Sequence, residues 1–321
     1  MYKIKYAEAL AKIKKADNIL LVTHDRPDGD ALSSTCALIE FLEKINKKYF
    51  AYCKDEPPYT YNFLPHLEKI QSNKKLLRFN DYDLIIALDC GSISRTNLEK
   101  EINNKYANQY IIEFDHHPKI DSYADIEIKD VKTSSTAEVL YNFFKSSQIK
   151  INKNMANCIL TGILTDTGNL LYPSTTDTTI KIASEMLLRG ANYPKIIKQT
   201  ARNKSFEGIK IWGKALSSLQ INKKYNFAFS VLTYNDIKES SATDEEMEGV
   251  SGFLSNLAEV KGLIFLREEK PGLIKGSLRS SHPDIDISKL AIALGGGGHP
   301  KSSGFKIKGN ILKTKNGWEI I

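Results

Sequence analysis

Residues 18–32 read NILLVTHDRPDGDAL, and this stretch determines how the N-terminal half of the chain is interpreted. The apolar run at 19–22 is short and is followed by turn-forming residues, which is typical of a buried β-strand. A helical pattern follows at 31–45, and a second apolar run lies at 48–53. A buried strand, a polar loop, a helix and a further strand form the repeating unit of an α/β fold.

The same alternation continues along the chain. Residues 83–88 and 109–114 are apolar runs that we interpret as strands, and residues 133–145 and 152–164 have the periodicity of helices. Short apolar strands that alternate with helices predict a mostly parallel, doubly wound sheet with helices on both faces.

The C-terminal part of the chain has a different pattern. Residues 176–219 have a helical pattern, and a β-containing region begins at 226, with a predicted helix over 244–254. We therefore predict an α/β domain at residues 1–190, a helical linker at 191–220 and a smaller α/β domain at 221–321.

Composition limits the class of protein. The chain has 321 residues and a net charge of +7, and its apolar runs are far shorter than the roughly 20 residues that span a bilayer. The N-terminus lacks the apolar segment of a signal peptide, so we expect a cytoplasmic protein that does not bind membranes. The positive charge is compatible with nucleotide or nucleic-acid partners. Buried free thiols, without a zinc or disulfide framework, are expected for Cys36, Cys53, Cys90 and Cys158.

Three of the predicted strands end in residues that bind metal ions in many proteins. Because the carboxyl ends of parallel strands in an open sheet face one crevice, we expect these side chains to lie close together. Asp166, at the end of a predicted helix, can reach the same crevice. The residues that follow the first, third and fourth apolar runs are His24, Asp25, Asp28 and Asp30, then Asp89, then Asp115, His116 and His117.

Such a cluster of carboxylates repels itself and would be largely protonated unless a cation compensates it. Carboxylate and imidazole ligands without thiolates favour Mn²⁺, with Fe²⁺, Co²⁺ or Zn²⁺ as alternatives and Mg²⁺ as a poorer match. Asp89 is well placed to bridge two ions. One Asp-Gly-Asp is usually a turn and one His-His pair is usually structural, so it is their joint occurrence at successive strand ends that predicts a metal site.

Five motifs carry a family resemblance. HDRPDGDAL at 24–32, ALDCG at 87–91, DHHP at 115–118 and TDTG at 165–168 resemble, in this order, the four motifs of the DHH phosphoesterase superfamily. GGGGHPKSSGF at 295–305 resembles the glycine-rich motif of the DHHA1 domain, and the two-domain length is similar to that of the NrnA-like branch, the nanoRNases and pAp phosphatases. Ser33 and Ser302 depart from the usual pattern, which bears on substrate preference rather than on metal binding.

The resemblance implies a role for each site residue. His24 and Asp28 would bind one metal ion, Asp89 would bridge, and the second ion would be bound by Asp30, His116 and Asp166. His117 would contact the scissile phosphate, and Asp115 would orient a neighbouring histidine. The active site would lie in the cleft between the domains, where the implied substrate-binding residues of the second domain are Arg279, Gly297, Gly298, His299, Ser302 and Ser303.

The resemblance also implies an activity. Two Mn²⁺ ions would support hydrolysis of nanoRNA, a few nucleotides long, to mononucleotides, and of 3′-phosphoadenosine 5′-phosphate (pAp) to AMP. Short RNA or DNA and pAp-like nucleotides are the expected partners, and a homodimer is compatible with the resemblance. Two alternatives stay open: a phosphodiesterase acting on cyclic or linear diadenylate (pApA), and a nucleotide sensor without catalysis. A pyrophosphatase of the same superfamily is disfavoured by the glycine-rich motif.

Overall fold

The computed structural model describes residues 2–244, 246–314 and 317–321. The chain divides into two compact units, a first unit, Met1–Asn203, and a second unit, Lys204–Ile321. Each unit has its own six-stranded sheet and its own apolar cores.

The sheet of the first unit is parallel throughout, in the order β3-β2-β1-β4-β5-β6. This confirms the predicted parallel α/β architecture. The chain builds the sheet outward from β1 in one direction and from β4 in the other, so the switch point lies between these two central strands. The strands are β1 (Asn18–Thr23), β2 (Lys48–Tyr52), β3 (Ile70–Gln71), β4 (Leu84–Leu88), β5 (Tyr110–Asp115) and β6 (Ile126–Lys129).

Side chains of β1 show how the sheet is buried on both faces. Ile19 and Leu21 join one apolar cluster, while Leu20 and Val22 join the other, because successive strand residues point to opposite faces. The first cluster packs under long helices, and the second lies under shorter helical segments. The helices of this unit are α1 (Tyr2–Lys15), α2 (Gly29–Lys44), α3 (Glu99–Asn103), α4 (Thr136–Ser146), α5 (Lys153–Asp166), α6 (Asp177–Leu188) and α7 (Tyr193–Thr200).

Two strands of this sheet are not predicted from the sequence. β3 has only two residues, which is too short to form an apolar run. In β6, which lies at the edge of the sheet, only Ile126 and Ile128 are buried, so its sequence IEIK lacks the continuous apolar character of a central strand.

The second unit contains a mixed sheet in the order β11-β12-β10-β9-β8-β7, in which β8 and β9 are parallel and the other neighbours are antiparallel. A separate hairpin pairs β13 with β14. The strands are β7 (Gln220–Asn222), β8 (Phe227–Leu232), β9 (Gly262–Lys270), β10 (Leu273–Arg279), β11 (Gly297–His299), β12 (Ser302–Lys308), β13 (Ile311–Thr314) and β14 (Gly317–Ile320). The helices are α8 (Phe206–Ser217), α9 (Tyr234–Ser240), α10 (Val250–Leu254) and α11 (Ser288–Ala293).

One predicted helix of this unit is wrong over its first half. Within the predicted range 244–254, the helix α10 begins only at Val250, and the described residues before it form turns, while Glu245 lies outside the described residues. Gly249 has a φ of 85°, a left-handed conformation that interrupts a helix.

All four cysteines are buried with free thiols, as predicted. Among the helices of the described residues, we find none that is both long and apolar enough to cross a membrane.

Candidate metal centre

The carboxyl ends of three adjacent strands bring the predicted ligands together. In the register of the sheet, Thr23 of β1 lies beside Leu88 of β4, and Leu88 lies beside Phe114 of β5. The residues that come next in each segment are His24, Asp89 and Asp115, so the register places them side by side at the switch point of the sheet.

A first group of ligands consists of His24, Asp28 and Asp89, whose ligand atoms lie within 4.8 Å of one another. The Nε2 atom of His24 is 3.9 Å from Asp28 Oδ1 and 3.8 Å from Asp89 Oδ2. The other ring nitrogen, Nδ1, lies 2.7 Å from the carbonyl oxygen of Asp25, which fixes the ring with Nε2 toward the carboxylates.

A second group consists of Asp30, Asp89 and His116, again with ligand atoms within 4.8 Å of one another. His116 Nε2 is 3.7 Å from Asp89 Oδ1 and 3.6 Å from Asp166 Oδ2, so Asp166 joins this group from the end of α5. Asp89 therefore belongs to both groups, with Oδ2 toward His24 and Oδ1 toward His116. A carboxylate with one oxygen in each group could contact two cations at once.

The backbone at Asp89 is held in an uncommon conformation. Its φ is 58°, in the left-handed region, which costs a residue other than glycine about 1–3 kcal/mol. The Asp89 amide donates to the carbonyl oxygen of Phe114 at 3.0 Å, and its side chain accepts a hydrogen bond from the Thr136 hydroxyl at 2.8 Å. The surrounding structure thus holds the carboxylate between the two ligand groups.

Asp30 is fixed by the N-terminus of α4. Its two carboxylate oxygens accept hydrogen bonds from the backbone amides of Thr136, at 2.6 Å, and Ala137, at 2.9 Å. Sequence reasoning missed both residues, although Ser135-x-x-Glu138 is a capping pattern that marks a helix start, and Ser135 caps α4. Gly162 of α5 leaves room for Asp30, because a Cβ atom there would lie 2.6 Å from Asp30 Oδ1.

Asp115 supports His117 rather than joining the two groups directly. Asp115 Oδ1 accepts a hydrogen bond from the backbone amide of His117 at 2.8 Å and lies 2.8 Å from its ring Nδ1. Burial would lower the pKa of His117, but the contacts with Asp115 and Asp89 dominate and raise it well above its usual value. The His117 imidazole therefore lies beside the ligand cluster with Nδ1 held by Asp115.

Arg95 is a further cationic residue at this edge that sequence reasoning missed. The carbonyl oxygen of Arg95 accepts a hydrogen bond from the Asp25 amide at 2.8 Å, and its Nε lies 3.8 Å from Asp25 Oδ1. A Cβ atom added at Gly91 would lie 3.4 Å from Arg95 Nη1 and 3.5 Å from His117 Cγ, so both side chains lie close to Gly91. In the sequence, only the position of Arg95 shortly after the ALDCG motif could have indicated that it lies near the site.

Two domain families match the chain. The DHH family, N-terminal domain, matches residues 18–163, and the DHHA1 domain matches residues 224–316. The bifunctional oligoribonuclease and PAP phosphatase NrnA of Bacillus subtilis is 30% identical over 307 residues, which cover 94% of this chain and 92% of that protein. The chain belongs to the DHH family. The predicted resemblance to DHH and DHHA1 proteins is thereby confirmed.

Other DHH relatives match over similar lengths. The probable bifunctional oligoribonuclease and PAP phosphatase NrnA of Streptococcus mutans is 29% identical and covers 92% of this chain and 91% of its own length. Among solved structures, an exopolyphosphatase-related protein from Bacteroides fragilis superposes with a TM-score of 0.85 at 26% identity, covering 94% of this chain and 91% of that chain.

The DHHA1 domain brings its predicted substrate residues to the ends of three neighbouring strands. Arg279 of β10 pairs with Ser302 of β12, Ser302 pairs with His299 of β11, and Ser303 pairs with Gly298. Gly297 and Gly298 belong to the strand β11. Gly298 has a φ of 133°, and a Cβ atom there would lie 2.6 Å from the carbonyl oxygen of Ser302, so the close pairing requires glycine.

Electrostatics in the DHH domain indicate a site for cations. Burial, followed by repulsion from Asp89, Asp166 and Asp28, raises the pKa of Asp30 well above its usual value. Burial and neighbouring carboxylates also raise the pKa of Asp166 to about 6, although His116 opposes the shift. Because these carboxylates repel one another, a divalent cation with oxygen and imidazole ligands fits the cluster better than protons do.

We expect Mn²⁺ to stabilise this protein strongly at about pH 7.5 and weakly at about pH 5, because the ligands must lose protons to bind a metal. A carboxyl group whose pKa is raised in the folded state stabilises the metal-free fold at pH values below its unfolded-state pKa. For Asp166 this stabilisation is lost as the pH rises through about 6. Above that pH, bound metal stabilises the fold instead. Thermal unfolding with and without Mn²⁺ at both pH values measures the difference.

Asp166→Asn is the control for this prediction. The amide is a neutral and weaker ligand than the carboxylate, so the variant should show a smaller Mn²⁺-dependent shift in Tm at about pH 7.5. An Mn²⁺ shift of equal size at both pH values in the wild type would contradict the prediction.

Proposed function

We propose that this chain is a two-metal phosphoesterase that hydrolyses nanoRNA to mononucleotides and pAp to AMP. The observation that carries the proposal is the position of Asp89, whose two oxygens face separate groups of ligands. The substrate class is supported by two relatives, the bifunctional oligoribonuclease and PAP phosphatase of Bacillus subtilis and the probable bifunctional oligoribonuclease and PAP phosphatase of Streptococcus mutans.

The residues present fit two divalent ions. His24 and Asp28 would bind one ion, Asp89 would bind both, and the second ion would be bound by Asp30, His116 and Asp166. A mixed set of carboxylates and imidazoles favours Mn²⁺, with Co²⁺ or Fe²⁺ as alternatives and Mg²⁺ as a poorer match. When bound, a pair of ions supplies Lewis acidity to the phosphoryl oxygens and lowers the pKa of the attacking water.

His117 would act on the phosphate itself. Asp115 fixes its Nδ1, so Nε2 is the ring nitrogen directed toward the substrate, and the ion pair with the Asp115 carboxylate favours a protonated ring. A charged imidazole stabilises the negative charge that develops on a phosphoryl oxygen during in-line attack by water. The water oxygen bonds to phosphorus as the P–O ester bond breaks, and the leaving oxygen takes up a proton that balances the one lost by the attacking water.

The DHHA1 residues would bind the part of the nucleotide that is not hydrolysed. We assign the guanidinium of Arg279 to a second phosphate or terminal nucleotide, because its planar donors suit bidentate contacts with phosphate. The assignment extends to the residues at the neighbouring strand ends, Gly297, Gly298, His299, Ser302 and Ser303.

The central test is hydrolysis of pAp and of a 5′-labelled RNA dinucleotide in the presence of Mn²⁺. We expect the wild type to release phosphate and AMP from pAp and mononucleotides from the dinucleotide. Asp89→Ala removes a ligand of both ions, so we expect a loss of at least about 100-fold for each substrate. Product release is measured by chromatography.

Asp81→Ala is the matched control, because Asp81 is an exposed aspartate at the end of a 3₁₀ turn outside the cluster. It should retain wild-type rates. Full activity in Asp89→Ala would contradict the two-metal proposal. A wild type that binds metal and releases nothing from either substrate would favour a sensor or a diadenylate substrate.

A second test addresses the DHHA1 residues. We expect Arg279→Ala to raise the KM for the RNA dinucleotide by about 10- to 100-fold, because a hydrogen bond to a charged group contributes about 1.5–3 kcal/mol. Hydrolysis of bis(p-nitrophenyl) phosphate, which has one phosphate and no nucleoside, should be unchanged. Arg279→Lys keeps the charge without the bidentate donors, so its KM for the RNA dinucleotide should lie between those of the wild type and Arg279→Ala. An Arg279→Ala variant with an unchanged KM for dinucleotides would show that the assignment is wrong.

A further inference from the structure

A buried chain of charged side chains lies behind His117. The sheet register pairs Asp115 of β5 with Lys129 of β6, so the two residues lie side by side on neighbouring strands. The Lys129 Nζ atom is 3.5 Å from Asp115 Oδ2, and the Lys129 side chain is only 7% exposed. A lysine is rarely buried to this degree unless a carboxylate compensates it.

A second buried carboxylate holds Lys129 from the other side. Glu113, two residues before Asp115, points to the same face of the sheet, and its Oε1 lies 3.0 Å from Lys129 Nζ. The Tyr123 hydroxyl donates to the same Oε1 atom at 2.8 Å. The ammonium group of Lys129 is therefore held between Glu113 and Asp115.

Both oxygens of Asp115 are engaged. Oδ1 contacts the backbone amide and ring of His117, whereas Oδ2 accepts a hydrogen bond from the Gly91 amide at 2.7 Å and faces Lys129. Rotation of this carboxylate away from His117 would break its contacts with Gly91 and Lys129. The lysine thus restrains the orientation of the group that fixes the His117 ring.

We propose that Lys129 is a positioning residue for hydrolysis, which acts through Asp115 to hold the His117 ring toward the substrate, with Glu113 and Tyr123 anchoring the lysine. This inference rests on the proposed function, because it assigns a consequence to the position of His117. The competing explanation is that Lys129 only neutralises Glu113 and so stabilises the fold.

Single and double variants separate these explanations. Lys129→Met keeps most of the side-chain length but leaves Glu113 and Asp115 without their shared cation, so it should lower both Tm and kcat. In the double variant Lys129→Met/Glu113→Gln the unpaired carboxylate of Glu113 is also removed, so Tm should recover. We expect kcat to stay about 10- to 100-fold below wild type in both variants, with KM and Mn²⁺ affinity nearly unchanged. Recovery of kcat together with Tm would overturn the proposal.

A double-mutant cycle tests whether the effect passes through His117. In a His117→Ala background, Lys129→Met should cause little further loss of kcat, because the side chain that it positions is already absent. A loss that multiplies the two single effects would show that Lys129 acts independently of His117, and the proposal would be wrong.

A readout without catalysis keeps the inference separate from the proposed function. In metal-free protein labelled with ¹⁵N-histidine, the His117 ring signals are assigned by comparison with His117→Ala. We expect Lys129→Met and the double variant to shift or broaden these signals, because the ring is no longer held in one orientation. Unchanged His117 signals would overturn the positioning role. Altered signals in a protein that hydrolyses no substrate would instead show that the proposed function has failed.

Discussion

Asp89 directs one carboxylate oxygen to His24 and the other to His116, and the rest of the site is arranged around this residue. Burial, followed by repulsion from neighbouring carboxylates that include Asp89, raises the pKa values of Asp30 and Asp166. The folded chain therefore contains two unfavourable features here, the repulsion between carboxylates and the left-handed backbone of Asp89. Charge repulsion and backbone strain are both expected at a site where a bound cation would neutralise the carboxylates.

The sheet makes this arrangement possible. β1 and β4 are the central pair at which strand order reverses, and the crevice beyond their carboxyl ends is where an open α/β sheet binds its ligands. The helix α4 contributes from the side, since its first amides donate to Asp30. Fold and site therefore share one cause, the register of three parallel strands and the helix start that faces them.

The parallel sheet could be predicted because central strands are continuous apolar runs, and the ligand cluster could be predicted because its members follow those runs directly. Contacts with residues outside those strand ends could not be predicted. Thr136 donates to Asp30 from 106 residues away, and only the fold brings them together. Lys129 lies in an edge strand whose alternating sequence does not identify it as a buried strand. Its contact with Asp115 is therefore seen only in the register of the sheet. The glycine-rich motif gives no sign of a strand, yet Gly297 and Gly298 pair closely with β12 and form one.

The most direct test of the central claim is anomalous diffraction from crystals of the protein grown with Mn²⁺. We predict two anomalous peaks about 3.5–4 Å apart, as in other two-metal sites, with one oxygen of Asp89 bound to each ion or one shared between them. The remaining ligands should divide into the group of His24 and Asp28 and the group of Asp30, His116 and Asp166. A single peak, or two peaks of which one lies beyond contact with Asp89, would contradict the account.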